Sequence, residues 1–418
     1  MALIFMNHVI FIGSNYAVSQ KNTLEDVALS KESLLSLSSN SLFVAFILLL
    51  IAIIPIGLAV KSKGKMFGKV GLLLTYIAFA LQLVYFILRW LAVDHAPVSN
   101  MYEFMTFFGI MLTGSYLIIH FLYKQIVVGL FTIPVSLIII GYGSVFTKTV
   151  SPLVPSLQSN WLTIHVMTVA FSSAILSISF ATGIIYLLRT LDISKFSLSA
   201  LFLEIVLYYL VVVIGFIVVA TYCDIAVDKV EVQFENKLEK KKETAVYTMT
   251  PLIVNKDAVT TSGDQVGLLQ ITNIIDAKKL NSIVWAFIAG TILYAVIFLI
   301  TKKPLIVLLK PLTNRVQPTL MDEITYRAVV IGFPLFALGG LLFAMIWAQI
   351  AWSRYWGWDP KEVWALITFL FYAAFLHFRL SKGWEGERTA WLAIIGFGII
   401  VFNQVFVNLV IAGLHSYA

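Results

Sequence analysis

Long apolar runs separated by short polar loops dominate the hydrophobic pattern of the chain. Each run can cross roughly 30 Å of hydrocarbon as a helix, and a helix satisfies its own backbone hydrogen bonds in lipid. An earlier apolar stretch, residues 3–13, is too short to span, and no basic residue precedes it as a signal peptide would require. The pattern therefore predicts ten transmembrane helices, near residues 41–60, 70–90, 102–122, 126–146, 162–188, 200–221, 282–300, 328–350, 363–380 and 389–412.

The polar segments between these runs divide the chain into four parts. We expect an all-α polytopic transmembrane helix bundle with an external tryptophan-rich loop and one larger external insert. Two strand-like stretches in the insert, Val230–Phe234 and Thr244–Val254, indicate a small β-rich cap. The predicted parts are an external N-terminal segment (1–40), a first transmembrane helix group (41–221), an extracytoplasmic insert (222–281) and a second transmembrane helix group (282–418).

The composition indicates that lipid is the main solvent of the chain. Of its 418 residues, 60% are hydrophobic and 12% are charged, and the mean hydropathy is +0.92. Soluble domains average about a quarter charged residues. The net charge of +7 would suggest a nucleic-acid partner in a soluble protein, but membrane proteins collect Lys and Arg in cytoplasmic loops. We therefore expect a lipid bilayer, and no nucleic acid, as a partner.

The placement of basic residues predicts the orientation in the membrane. The short loops 91–101 and 147–161 contain a single basic residue, Lys148. The alternate loops are rich in basic residues, which places them in the cytoplasm and both termini outside. The basic residues of those loops are Lys61, Lys63, Lys65, Lys69, Lys124, Arg189, Lys195, Lys302, Lys303, Lys310, Arg315, Arg327, Arg379, Lys382 and Arg388.

A single cysteine, Cys223, limits the thiol chemistry of the chain. One thiol forms no internal disulfide, no CxxC redox pair and no CxxCH haem-attachment motif. We therefore expect that the chain neither relays thiol electrons within itself nor carries covalent haem of its own.

Residues 347–364, which we call the tryptophan segment, hold five of the ten tryptophans of the chain. An interfacial aromatic belt would explain one or two of them. Five tryptophans beside charged side chains favour a platform for a flat amphipathic ring, because indole faces stack on large π-systems. A porphyrin with two propionates fits this description, and Arg354 or Lys361 would meet the carboxylates. The candidate binding residues are Trp352, Trp356, Trp358, Asp359 and Trp364.

The same segment contains local signals for its backbone. If the loop is partly helical, Trp352 and Trp356 share a face at i, i+4. Gly357 allows close backbone approach, and Pro360 is expected in the first turn of the next helix.

Three histidines are candidate iron ligands, because imidazole commonly ligates haem iron. His165 lies at the outer end of the fifth span, and His415 follows the tenth, so both are expected level with the tryptophan segment. A lone histidine at a helix end is more often an interface residue. His377 lies about 27 Å along a helix from Asp359, near the inner side of the membrane. An ionisable residue at that depth is a functional candidate, although His377 can also snorkel beside Arg379.

A second external motif runs from Arg89 to Glu103 and includes His95. Ser99 or Asn100 can cap the third span, with Glu103 in its first turn. Because capping alone accounts for this motif, His95 is a weaker site candidate.

From about residue 38 to the end, the chain resembles the CcsA type of cytochrome c biogenesis protein, called ResC in Gram-positive bacteria. The segment from Trp352 to Glu362 resembles the tryptophan-rich WWD motif of haem-handling membrane proteins, which the CcmF and CcmC types share. Further matching stretches narrow the resemblance to the CcsA type, the last of them especially. They are His95–Glu103, Trp161–Ser173, Met321–Arg327 and Gly413–Ala418.

The resemblance implies a function with named partners. Family members work with a CcsB (ResB) membrane protein, move haem b to the outer side and attach its vinyl groups to CxxCH of apocytochrome c. It further implies that His165 and His415 ligate one external haem. His377 would belong to an internal haem site whose other ligand comes from the CcsB part, here a separate chain. Two features depart from the family: Ser353 replaces the usual Gly, and the 222–281 insert is long.

The leading hypothesis is the haem-handling subunit of a cytochrome c synthase, a haem lyase-type enzyme complex in the cell membrane, with thiol-reducing proteins as a further partner class. A haem transporter or chaperone that forms no bond is the alternative. A quinol-linked oxidoreductase with permanent haem is a third class. Such an enzyme should bury histidine pairs on facing helices, whereas the best pair here is external.

Overall fold

Ten helices in the computed structural model are long and apolar enough to cross a membrane, within the residues that it describes. Those residues are 30–62, 64–150, 158–193, 197–236, 241–260, 266–271 and 277–407. The predicted all-α polytopic bundle is therefore confirmed, and the chain is a multi-pass membrane protein. The spanning helices are α1 (Lys31–Ser62), α2 (Lys65–Val93), α3 (Met101–Tyr123), α4 (Ile126–Gly143), α5 (Asn160–Thr190), α6 (Leu198–Ala226), α7 (Ala277–Thr301), α9 (Pro318–Trp352), α10 (Pro360–Lys382) and α11 (Glu387–Val407). The short helix α8 (Leu305–Leu309) lies between α7 and α9.

Two helices begin about ten residues before the predicted apolar runs. Helix α1 begins at Lys31 rather than near residue 41, and α9 begins at Pro318 rather than near residue 328. The first turns of α1 contain serines, which interrupt the apolar run without interrupting the helix. Ser38 Oγ donates to the Leu35 carbonyl at 2.8 Å, so its hydroxyl is satisfied by the preceding turn.

Helix α5 lies at the centre of the bundle and is the most buried span of the described chain. It packs against α3, α9 and α11. Its crossing with α9 is close at two glycines. A Cβ atom on Gly332 would lie 2.7 Å from Leu176 Cγ, and one on Gly339 would lie 2.9 Å from the backbone nitrogen of Val169. This crossing brings the outer half of α9 against the first turns of α5.

A buried ion pair fixes the loop between α2 and α3. Arg89 Nε donates to Glu103 Oε1 at 2.8 Å, and the two side chains are only 2% and 1% exposed. Ser99 Oγ donates to Glu103 Oε2 at 2.8 Å, and Glu103 N donates to Asn100 Oδ1 at 2.9 Å. The predicted cap of the third span is confirmed, with Asn100 as the capping residue. Breaking such a pair typically costs about 3–5 kcal/mol, so the loop is firmly held.

The insert between α6 and α7 contains two small sheets, so it is β-rich as predicted, but the predicted strand Thr244–Val254 is divided between two strands. Strands β1 (Val230–Asn236), β2 (Lys241–Tyr247) and β4 (Val259–Thr260) form an antiparallel sheet in the order β2-β1-β4. Strands β3 (Ile253–Asn255) and β5 (Leu269–Ile271) pair in parallel. Asn281 at the start of α7 accepts backbone hydrogen bonds from Leu252 and Ile253 through Oδ1, which ties the cap to the membrane helix.

The orientation of the bundle is a testable prediction, motivated by the alternation of basic and charge-poor loops. Reporter fusions at Lys303 and Lys382 should report the cytoplasm. Fusions at Lys256 and after Ala418 should report the outer side. A cytoplasmic reporter signal after Ala418 would contradict the external site, because His415 would then lie on the wrong side of the membrane.

Candidate functional site

His165, in the second turn of α5, is held by two contacts with α9. Its Nδ1–H donates to the Gly339 carbonyl oxygen at 2.8 Å. Its ring stacks on the Trp347 indole, with ring centroids 5.8 Å apart and planes inclined by 14°. These contacts join the predicted ligand directly to the tryptophan segment. The predicted proximity of His165 to that segment agrees with the structure, although iron ligation by His165 stays a prediction.

Trp347 is a residue that sequence reasoning did not assign to the site. It is 1% exposed and packs edge-on against Trp352, with ring centroids 4.8 Å apart. Its position inside the predicted eighth span was the signal for its burial, because a tryptophan there is expected to be buried. Trp347 therefore lies buried at the base of the tryptophan segment, beneath its more exposed tryptophans.

The chain between α9 and α10 is not helical, so the predicted i, i+4 face shared by Trp352 and Trp356 is wrong. Helix α9 ends at Trp352 because Ser353 adopts the left-handed conformation, with φ 56°. Trp356 instead packs edge-on against Trp358 at 5.9 Å. Trp358 also has φ 56°, and it is 70% exposed. The left-handed backbone at Ser353 is a conformation that glycine adopts without strain. This fits the glycine that is usual at this position in the family that the sequence resembles.

Gly357 allows the close approach that was predicted, and the neighbouring group is the Arg354 guanidinium. A Cβ atom on Gly357 would lie 2.3 Å from Arg354 Cζ. Arg354 is exposed, so the guanidinium lies over the loop at its surface. The guanidinium therefore lies close to Gly357, the residue between Trp356 and Trp358 in the sequence.

Asp359 and Glu362 fold the end of the loop onto the start of α10. Asp359 Oδ1 accepts from Lys361 N at 3.0 Å, and Glu362 Oε2 accepts from Asp359 N at 3.1 Å and from Gly357 N at 2.7 Å. These bonds form a capping box, and Pro360 is the first residue of α10, as predicted. The Asp359 carboxylate therefore shapes the loop, and its direct contact with a ligand stays a prediction.

Trp364 points toward the last helix rather than toward the loop tryptophans. Its ring lies 4.3 Å from the Phe402 ring, centroid to centroid. Phe402 begins a π-helical segment, Phe402–Val407, at the end of the described part of α11. Contact of Trp364 with a ligand stays a prediction.

A small cavity lies beneath the tryptophan segment, between α3, α5, α9, α10 and α11. Its volume is about 70 Å³, enough for a few water molecules but far below that of a porphyrin. Asn403 is 5% exposed, and its Oδ1 has no hydrogen-bond partner among the residues that the structure describes. A haem bound at His165 would therefore need the exposed loop for its body, with the cavity receiving at most a polar edge. The polar lining comprises His165, Lys361, Glu362, Asn403 and Gln404.

His377 lies at the other end of α10 and is not brought near His165. It is about 24 Å along the helix from Lys361, which lines the cavity. Its side chain is exposed on the bundle surface, and its Nε2 lies 3.2 Å from Ser381 Oγ. Arg379, the proposed snorkelling neighbour, is paired instead with Asp322 at 2.7 Å. The third candidate ligand, His415, lies outside the described residues.

Comparisons with known proteins identify a matching family and several similar chains. A family described as "Cytochrome C assembly protein" matches residues 98–252 and 281–415. The cytochrome c biogenesis protein CcsA of Gloeothece citriformis is 31% identical over 333 residues, covering 79% of this chain and 81% of the relative. CcsA of Trieres chinensis is 30% identical over 388 residues, covering 91% and 96%. CcsA of Synechocystis sp. is 31% identical, covering 79% and 82%.

Proposed function

Since the chain belongs to the cytochrome c assembly protein family, and within it to the CcsA type, we propose that it presents haem at the outer membrane face for attachment to apocytochrome c. Membership of the family establishes a role in cytochrome c maturation. The observation that carries the finer proposal is His165, hydrogen-bonded to Gly339 and stacked on Trp347 at the base of the tryptophan segment. An imidazole fixed on the buried Trp347, at the base of a segment that also presents the exposed Trp358, suits the iron and the ring of one ligand.

The proposed external site combines two histidines with the exposed loop. His165 and His415 supply the axial ligands, and Trp358 and Trp356 supply the stacking surface. The family match extends to residue 415, which supports the inclusion of His415. We propose that Arg354 at the surface and Lys361 at the cavity meet the propionates of haem b.

The proposed reaction is the addition of two acceptor thiols to the two haem vinyl groups. Each cysteine sulfur of CxxCH bonds to one vinyl carbon, and the thiol hydrogen passes to the neighbouring carbon. Cys223 is buried near the end of α6, remote in sequence from the site, so the thiols come from the acceptor. The contribution of this chain is orientation, which brings the reacting groups together without a bimolecular search.

The exposed position of His377 supports a partner chain. An internal haem held by His377 needs a second axial ligand, and the His377 ring contacts Ser381 and Phe378 in the described chain, neither of which ligates iron. We propose that a CcsB/ResB-like membrane protein supplies that ligand from an adjacent helix in the cell membrane. The complex would then act as a holocytochrome c synthase.

A haem transporter without bond formation is the alternative function. Co-expression with a ResB-like partner and a CxxCH acceptor distinguishes the two. Covalent haem on the acceptor, seen as haem-stained protein after denaturing electrophoresis, is expected only when this chain is present. Haem that copurifies with the chain while the acceptor stays unmodified would favour the transporter.

His377→Ala should lower the haem that copurifies with the chain and its partner. The reason is the loss of one axial ligand of the internal site. His120→Ala is the matched control, because His120 has a similar depth in α3 but no sequence motif beside it that indicates haem binding. Unchanged haem loading in His377→Ala would leave His377 as a residue that snorkels toward the interface.

A further inference from the structure

Helix α9 contains a π-helical segment, Leu338–Phe343, just below the tryptophan segment. A π-turn shifts the hydrogen-bond register of a helix by one residue and often occurs at functional sites. Where the regular ladder is interrupted, an outside donor can reach a backbone carbonyl. In this chain that outside donor is His165, which bonds to Gly339 inside the segment.

The glycine at position 339 permits this contact sterically. A Cβ atom there would lie 2.9 Å from both Thr168 Cγ2 and the backbone nitrogen of Val169. Real Cβ atoms do not sit so close to a fixed backbone, so any larger residue would push α5 away from α9. The distance from His165 Nδ1 to the Gly339 oxygen thus depends on the absence of a side chain at Gly339.

The hydrogen bond also determines the tautomer of His165. A carbonyl oxygen only accepts hydrogen bonds, so the proton of the neutral imidazole lies on Nδ1 and the lone pair on Nε2. The parallel Trp347 indole restricts rotation of the ring. Hydrogen-bonded Nδ1–H groups increase electron donation from the other nitrogen to a bound metal.

We propose that the Gly339 carbonyl, which lies in the π-turn of α9, selects Nε2 of His165 as the iron-binding nitrogen and strengthens its donation to ferric haem. This inference rests on the proposed function, since it takes haem as the ligand of His165. Gly339 is a positioning residue, because it acts only through His165. The π-turn is then a functional element of the helix rather than an irregularity.

The sharpest test replaces His165 with Nδ1-methylhistidine in the full-length chain. The methyl group removes the bond to Gly339 and leaves Nε2 able to bind iron. Ferric haem affinity is expected to fall roughly 10- to 100-fold, the usual effect of losing such a partner. The reduction potential should rise, and a tenfold selective loss of ferric over ferrous affinity corresponds to about 59 mV.

Two glycine-to-alanine variants provide the second test. Gly339→Ala should weaken ferric haem binding and raise the potential in the same direction, because the added Cβ separates α5 from α9. Gly398→Ala is the matched control, because Gly398 is also a helical glycine but a Cβ there meets nothing within 4 Å. The control should leave the haem spectrum and potential unchanged.

The outcomes separate this inference from the proposed function. If His165→Ala removes the low-spin haem spectrum but Nδ1-methylhistidine changes neither affinity nor potential, the role of Gly339 is overturned and the function stands. If His165→Ala leaves the haem spectrum unchanged, both are overturned. Equal effects of Gly339→Ala and Gly398→Ala would also overturn the role of Gly339.

Discussion

His165→Ala is expected to reduce holocytochrome c formation to background, and added imidazole is expected to restore part of it. The substitution removes the proposed axial ligand but keeps its surroundings. The Gly339 carbonyl and the Trp347 ring, which contact the His165 ring, remain in place. Free imidazole can therefore donate a hydrogen bond to the Gly339 carbonyl and stack on Trp347. The measurements are holocytochrome yield with and without imidazole, and the visible spectrum of haem in each purified variant.

His415→Ala should behave in the same way, since the second axial position can also be filled by a small ligand. His95→Ala is the control for both variants. His95 lies in the loop before α3, and its Nδ1 lies 3.0 Å from the Ala96 carbonyl, an interaction confined to its own loop. Full activity in the His165→Ala, His415→Ala double variant would end the axial-ligand proposal.

The fold could largely be predicted because its signals are local. Runs of apolar residues give the ten spans, and Asn100 and Pro360 mark helix starts through capping chemistry that involves near neighbours in sequence. The exceptions are also local in origin. Serines in the first turns of α1 lowered the apolar signal there, although a hydroxyl such as that of Ser38 is satisfied within the helix.

The site could be predicted only in part, because its key contacts join distant parts of the chain. The sequence predicts His165 as a candidate ligand from its level in the membrane. Its bond to Gly339 depends on how α5 crosses α9, and its stacking depends on Trp347, which is in a different helix. The π-turn at Leu338–Phe343 has no sequence signal that periodicity reveals, since Gly339 and Gly340 read as ordinary small residues in an apolar run.

The loop within the tryptophan segment could also be predicted only in part, although its contacts join residues that are close in sequence. The prediction that Trp352 and Trp356 share a helical face assumed continued helix, and the left-handed conformation of Ser353 ends the helix first. A serine at that position does not predict a left-handed helix end, whereas a glycine would have predicted one. The resulting loop directs Trp358 outward and leaves Trp347 and Trp352 together at its base.

Trp358→Ala is expected to weaken haem binding by roughly 5- to 30-fold, with no rescue by imidazole. Trp358 is 70% exposed, so its indole has apolar surface available to a ligand. Loss of one stacked indole costs about 1–2 kcal/mol, which corresponds to that range of affinity. Imidazole fills a coordination position but supplies no stacking area comparable with an indole. The measurements are haem titration of the purified variant and holocytochrome yield with and without imidazole.

Trp90→Ala separates this proposal from an interfacial aromatic belt. Trp90 is also partly exposed, lies at the external end of α2 under the predicted orientation, and is outside the tryptophan segment. If tryptophans on this side only anchor helices in the headgroups, the two variants should lose stability and activity alike. If the segment stacks haem, Trp358→Ala should lose haem affinity at unchanged thermal stability, while Trp90→Ala keeps its affinity. Rescue of Trp358→Ala by imidazole, or equal haem affinity in both variants, would contradict the stacking role.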